Sequence, residues 1–187
     1  MEPITLTDQE LLTLIVGPKT ATKIYSGRLT PLMLGENGLS PNPKLAASFE
    51  LSRRLMKEAL CRGPLLKSPQ ETSEFLIAHF LGRPSEAFVA IFLDNRHRVI
   101  TVEEMFQGTI SGAQVHPREV VRSALRCNAA ACIFAHNHPS GVAEPSSCDK
   151  ALTQSLITTL ALVEVRVLDH IVVAGGITVS FAERGML

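Results

Sequence analysis

Two rhythms of apolar and polar positions run along this chain, and the changes between them mark out its elements. Leu6-Thr7-Asp8-Gln9-Glu10-Leu11-Leu12 opens with a capping signal and continues as an apolar helix to about Val16, where Gly17-Pro18 breaks it. Pro31, Gly35, Gly38, Pro41 and Pro43 punctuate the middle of this region, so residues 5–60 read as short helices separated by turns. Lys44 to Leu60 then places Leu45, Phe49, Leu51 and Leu55 on an amphipathic helix. Arg62 to Pro69 reads as a linker. Glu71 to Leu81 is helical again, and Gly82-Arg83-Pro84 ends it. Ala87-Phe88-Val89-Ala90-Ile91-Phe92-Leu93-Asp94 is apolar throughout, the pattern of a central strand, and Asn95-Arg96-His97 turns it into Arg98–Val102 as a hairpin. Pro117 to Leu125 is a helix with proline in its first turn. A short apolar strand at residues 129–134, a helix over 147–163, a strand at Val165–Val173, a Gly175-Gly176 turn and a strand at Ile177–Phe181 complete the order. Helices and strands alternating around one sheet predict an α/β (α+β layered) domain, a mixed sheet flanked by helices. The organisation expected is a helical segment over residues 1–66 followed by a domain over 67–187.

Composition narrows the class. A chain of 187 residues, 45% hydrophobic, can bury one sizeable core with a small appendage. Its four cysteines (Cys61, Cys127, Cys132, Cys148) show no Cys-x-x-Cys spacing, so reduced thiols are expected rather than disulfides or a thiolate metal site. Met1-Glu2-Pro3-Ile4-Thr5 carries no signal-peptide pattern, and no stretch approaches the roughly 20 apolar residues that span a bilayer. A soluble, cytoplasmic protein without membrane attachment is expected. The net charge is zero, and residues 1–60 hold seven Lys/Arg against six Asp/Glu. That balance lacks the basic excess of a chain whose binding is dominated by phosphate contacts.

The chemistry concentrates in Ala135-His136-Asn137-His138-Pro139-Ser140-Gly141 and Pro145-Ser146-Ser147-Cys148-Asp149. In an extended strand side chains repeat every second residue, so His136 and His138 project from one face. Pro139 and Gly141 turn the chain, and Ser146-x-x-Asp149 has the form of a capping box before an apolar helix. Two imidazoles from a strand end and a carboxylate from the next helix's first turn make an open metal site. Neutral imidazoles with one carboxylate favour zinc with water in the fourth position, and such a site lowers the pKa of bound water from 15.7 to about 7. A non-haem iron triad uses the same donor types, so these alone leave both metals open.

His136-x-His138, seven residues, Ser146, two residues and Asp149 together match the JAMM motif of MPN-domain (JAB) metallopeptidases. The longer string around it, with Val115-His116-Pro117-Arg118-Glu119 upstream and Leu168-Asp169-His170 downstream, resembles the RadC branch over about residues 67–187. That resemblance implies a cytidine-deaminase-like mixed sheet and a zinc site of His136, His138 and Asp149. It further implies a Ser146 that supports the tetrahedral intermediate and a distal glutamate acting on the water. MPN domains carry that glutamate just before the first core strand, often after Pro-x, which selects Glu86 in Pro84-Ser85-Glu86, with Glu119 as runner-up. Asp169 and His170 are assigned to the core or to support of the ligands, and His116 and Arg118 to a substrate groove or a helix entry. The activity implied is hydrolysis of a peptide or isopeptide bond in an unidentified peptide or protein.

Other readings compete. The contiguous tripeptide His136-Asn137-His138 is unlike HNH nucleases, which spread those letters over a ββα-metal unit. An amidohydrolase barrel, which also opens on His-x-His, needs roughly 250 residues. The alternative that survives is a DNA-repair accessory or DNA-binding scaffold with a structural or vestigial metal site. The N-terminal region resembles a degenerate helix-hairpin-helix module, with Gly38-Leu39-Ser40-Pro41 where that module has Gly-hydrophobic-Gly-Pro. Ser40 replaces the glycine that lets backbone approach a phosphate closely, which weakens the expectation of DNA association.

Overall fold

The structure, a computed structural model, describes residues 5–29, 31–32, 40–62, 69–107 and 115–187. Gly38 and Leu39 of the hairpin-like tetrapeptide, and residues 63–68 of the linker, lie outside the described residues. The chain divides into two compact units, Met1–Leu55 and Met56–Leu187.

The first unit holds α1 (Asp8–Val16), α2 (Pro18–Ile24) and most of α3 (Pro43–Arg62). Thr7 and Glu10 close the capping box that the sequence signalled, which satisfies the free N–H groups at the start of α1. Gly17, at φ 83°, is the last residue of one helix end and the entry to the next, with Pro18 at the first position of α2. Leu12, Val16, Ala21 and Leu45 form its small core. Ser40, at the position of the missing glycine, is buried, with its hydroxyl donating to the Leu32 carbonyl.

The second unit is built on a five-stranded mixed sheet. Its elements are α4 (Pro69–Phe80), β1 (Ala87–Leu93), β2 (Val99–Gln107), α5 (Pro117–Arg126), β3 (Ala131–Asn137), α6 (Ser147–Ala161), β4 (Arg166–Ala174) and β5 (Ile177–Ser180). The strand order is β2-β1-β3-β4-β5. All neighbours are antiparallel except β3 and β4, and that parallel pair is joined by α6.

Every residue of β1 and β3 is buried, so neither strand shows a polar alternation. Alternate side chains nevertheless go to different layers. Val89, Ile91, Leu93, Ile133 and Ala135 pack with Phe75, Leu76 and Phe80 of α4. Phe88, Ala90, Phe92, Cys132 and Phe134 pack with Val120 and Ala124 of α5 and Leu156 and Leu160 of α6. By that alternation His136 falls on the α5/α6 side and Asn137 on the α4 side.

Two strands run three or more residues past the ends that the sequence pattern predicts. β3 runs on through His136 and Asn137, because the ladder to β1 and β4 continues past the apolar run. β2 extends to Gln107 through Glu103 and Glu104, past the Val102 at which the apolar pattern stops. As an edge strand it tolerates charge, and Glu103 pairs with Arg126 while Glu104 pairs with Arg83.

A candidate metal centre at the end of the third strand

His138 lies one residue past β3, but its N–H donates to the Val173 carbonyl at 2.8 Å, so its backbone stays in register with β4. The chain then turns sharply: the Gly141 N–H donates to the His138 carbonyl at 3.1 Å, and Gly141 adopts φ 81°. That left-handed conformation favours glycine. The turn returns the chain so that the His138 Nδ1–H donates to the Val142 carbonyl at 2.7 Å. A carbonyl only accepts, so the His138 proton is fixed on Nδ1 and the lone pair on Nε2.

The helix side is set by the capping box of α6. The Asp149 N–H donates to Ser146 Oγ at 3.2 Å. In return Ser146 donates both its N–H, at 2.7 Å, and its hydroxyl, at 2.6 Å, to Asp149 Oδ2. The helix cap and the placement of the carboxylate are thus one device.

Strand and helix converge. His136 Nε2 and His138 Nε2 are 2.9 Å apart. Asp149 Oδ1 lies 3.3 Å from the first and Asp149 Oδ2 lies 3.6 Å from the second. Among the described residues this is the one group of three or more His, Cys, Asp or Glu able to hold a metal ion.

The donor chemistry fits such an ion. Ligand atoms 2.0–2.1 Å from a tetrahedral ion stand about 3.3 Å from one another, which the three separations bracket. Two imine lone pairs aimed at each other beside a carboxylate need an electrophile between them. The hydrogen bond to Asp149 raises the His138 pKa against desolvation, with help from the Val142 carbonyl and the charges of Asp149 and Glu86. Burial would push the Asp149 carboxyl up, but its bonds to His136, His138 and Ser146 hold it far below the usual carboxylate range.

Glu86 immediately precedes β1. The ladder between β1 and β3 ends two residues further on, at the pair Phe88 and His136. The Glu86 backbone is clamped on both sides: the Ala87 N–H donates to Asn137 Oδ1 at 2.8 Å, and Asn137 Nδ2 donates to the Ser85 carbonyl at 3.1 Å. Glu119, on α5, is ion-paired with Arg122 and borders a separate hollow of about 190 Å³ with His116, Met105 and Phe106.

The sequence did not reveal the roles of Asn137 and Thr153. Asn137 is masked by standing between two histidines, although strand alternation turns it to the opposite layer. Thr153 is one helical turn beyond Asp149, a spacing that could have signalled it. Its hydroxyl lies 2.6 Å from Nδ1 of His170, which in turn reaches His136 at 2.8 Å. Cys127, Cys132 and Cys148 are free thiols, and burial pushes Cys132 up to about 12.

A mixed sheet whose central strand ends in two imidazoles, with a carboxylate returned by the following helix, is the arrangement of a JAB-type domain. Residues 66–186 match the RadC-like JAB domain, and the chain belongs to the RadC family. It is 55% identical over 150 residues to a UPF0758 protein of Nitrosococcus oceani, covering 80% of this chain and 67% of that one. A UPF0758 protein of Thioalkalivibrio sulfidiphilus is 50% identical over 201 aligned positions, covering 97% and 90%. One from Methylibium petroleiphilum is 54% identical over 152, covering 80% and 68%. The second alignment is longer than the 187 residues of this chain, so that relative carries residues this chain lacks.

Proposed function

We propose that this protein is a zinc-dependent hydrolase that cleaves an amide bond in a peptide or protein, with His136, His138 and Asp149 as the metal ligands. The observation that carries this reading is the meeting of two imidazole Nε2 atoms and a carboxylate within 4.8 Å of one another in a JAB-family chain. A divalent ion held by these three residues would supply Lewis acidity, for polarising a carbonyl and for bringing the pKa of water toward neutrality.

The remaining steps belong to side chains. Glu86 is the general base: it directly precedes β1, with the backbone on either side of it held by Asn137, the neighbour of both histidine ligands. It takes a proton from the attacking water and passes it to the leaving amine. Ser146 supports the developing oxyanion. Its hydroxyl donates to Asp149 in the resting structure, and rotation about Cβ–Oγ redirects that proton to substrate while the Ser146 N–H keeps its bond to Asp149. Glu119, engaged with Arg122, is the less suitable base.

Two variants test the assignment. Metal analysis should find stoichiometric zinc in the wild-type protein and a large loss in Asp149→Ala. Glu86→Gln should keep the zinc and lose cleavage of a proteome-derived peptide library read by mass spectrometry. Zinc-free wild-type protein, or a Glu86→Gln variant that still cuts, would overturn the reading.

A further inference from the structure

His170 is wholly buried, yet packing does not ask for an imidazole there. Its ring stacks on Phe181 at 4.8 Å between centroids and meets Phe88 edge-on at 5.4 Å and Phe134 at 6.2 Å, an aromatic setting that suits a phenyl ring equally well. What sets it apart is that both of its nitrogens are used. Nε2 is 2.8 Å from His136 Nδ1, and Nδ1 is 2.6 Å from Thr153 Oγ1.

The direction of these bonds can be read from one end. Thr153 Oγ1 donates its proton to the Asp149 backbone carbonyl at 2.6 Å, so toward His170 it can only accept. His170 therefore carries its proton on Nδ1 and presents a lone pair at Nε2. His136 must then donate from Nδ1, which leaves its Nε2 lone pair facing His138 and Asp149. The chain of bonds begins at the main chain of one ligand residue and ends on the ring of another, joining α6, β4 and β3.

We propose that His170 and Thr153 are positioning residues that fix His136 in its Nδ1–H tautomer, and so preset the nitrogen with which it binds a divalent metal. The proposal rests on the metal-site reading above. Without the Thr153 hydroxyl, His170 loses the acceptor that holds its proton on Nδ1. If that proton moves to Nε2, His136 must accept at Nδ1 and carry its own proton on Nε2, inside the ligand group. Metal binding then has to expel that proton first. Partners of this kind, which orient a ligating histidine, typically contribute 10–100-fold in metal affinity.

The test uses zinc alone with the full chain. Competition against a chelating dye should show His170→Phe binding zinc about 10–100-fold more weakly than wild type. Thr153→Val, nearly the same shape, should weaken it in the same direction. The double variant should be no weaker than His170→Phe, because Thr153 acts only through His170. Imidazole ¹⁵N shifts of the metal-free protein give a second readout: His136 protonated on Nδ1 in wild type, and on Nε2 in Thr153→Val. A packing role for His170 would move neither. Zinc affinities within twofold of wild type in both variants, or a wild-type His136 protonated on Nε2, would sink the relay while leaving the metal site standing. Wild-type protein that takes up no zinc would instead sink the metal site itself. Should His170→Phe fail to fold, Thr153→Val and the wild-type spectrum decide.

Discussion

Asn137 carries two tasks that its neighbours hide. Its main chain continues the ladder from β3 to β4, while its carboxamide, turned away from the ligand face, grips the backbone on either side of Glu86. A buried amide N–H with no acceptor costs about 1–3 kcal/mol, and Asn137→Ala would leave the Ala87 N–H in that state. Urea unfolding of metal-free protein should show a loss of that size. Asn137→Asp keeps the acceptor and forfeits only the donation to Ser85, so its loss should be smaller. Equal stability in all three proteins would mean that water replaces the clamp. The ligand residues were legible in sequence because metal binding demands particular atoms at particular spacings, and His-x-His with Ser-x-x-Asp satisfies few other needs. Asn137, Thr153 and His170 were less legible because a hydrogen bond to a main-chain group or to another ring leaves no spacing rule to read. Their partners come from 50, 17 and 34 residues away.

At the scale of elements, the helix ends and the buried strands were legible for different reasons. Capping boxes at Thr7 and Ser146 are local, so α1 and α6 begin where the side-chain pattern put them. β1 and β3 announce themselves by unbroken apolarity, but the same feature conceals which layer each residue faces; only packing against α4 on one side and α5 and α6 on the other resolves it. β2 outruns its apolar pattern because an edge strand can carry Glu103 and Glu104, each held by an arginine from elsewhere in the chain. Ser146 shows how an element's end becomes part of a site. Removing its hydroxyl takes away the acceptor for the Asp149 N–H and a donor to Asp149 Oδ2 together. Ser146→Ala should cost about 1 kcal/mol in metal-free protein, as a lost helix cap does. Its zinc affinity should fall as well, because the ligand carboxylate loses a partner. Ser146→Thr, which keeps the hydroxyl, should recover most of both. A stability loss without a change in affinity would reduce Ser146 to a cap.

Across the whole molecule, the ligand group and its supports draw on β3, the turn after it, α6 and β4, with Glu86 at the entry to β1. All of these lie in the unit Met56–Leu187, and the match to the RadC-like JAB domain covers residues 66–186. The unit Met1–Leu55 has a separate small core around Leu12, Val16, Ala21 and Leu45. Among the described residues no helix is long and apolar enough to cross a membrane. A ligand that binds only the folded form stabilises it by mass action, by about 2.7 kcal/mol when free ligand stands at 100 times its dissociation constant. That stabilisation reaches only the amides whose opening disrupts the site. Hydrogen exchange with and without zinc should therefore show strong protection at β3, α6 and β4 and unchanged exchange at α1 and α2. Chelator should reverse the protection, and Asp149→Ala should abolish it. Equal protection of α1 and α2 would show that the two units open together, so that metal binding in one is felt by the other. Protection confined to surface amides near Val142 would mean instead that zinc occupies only the turn, and that the buried bonds from His136 through His170 to Thr153 play no part in holding it.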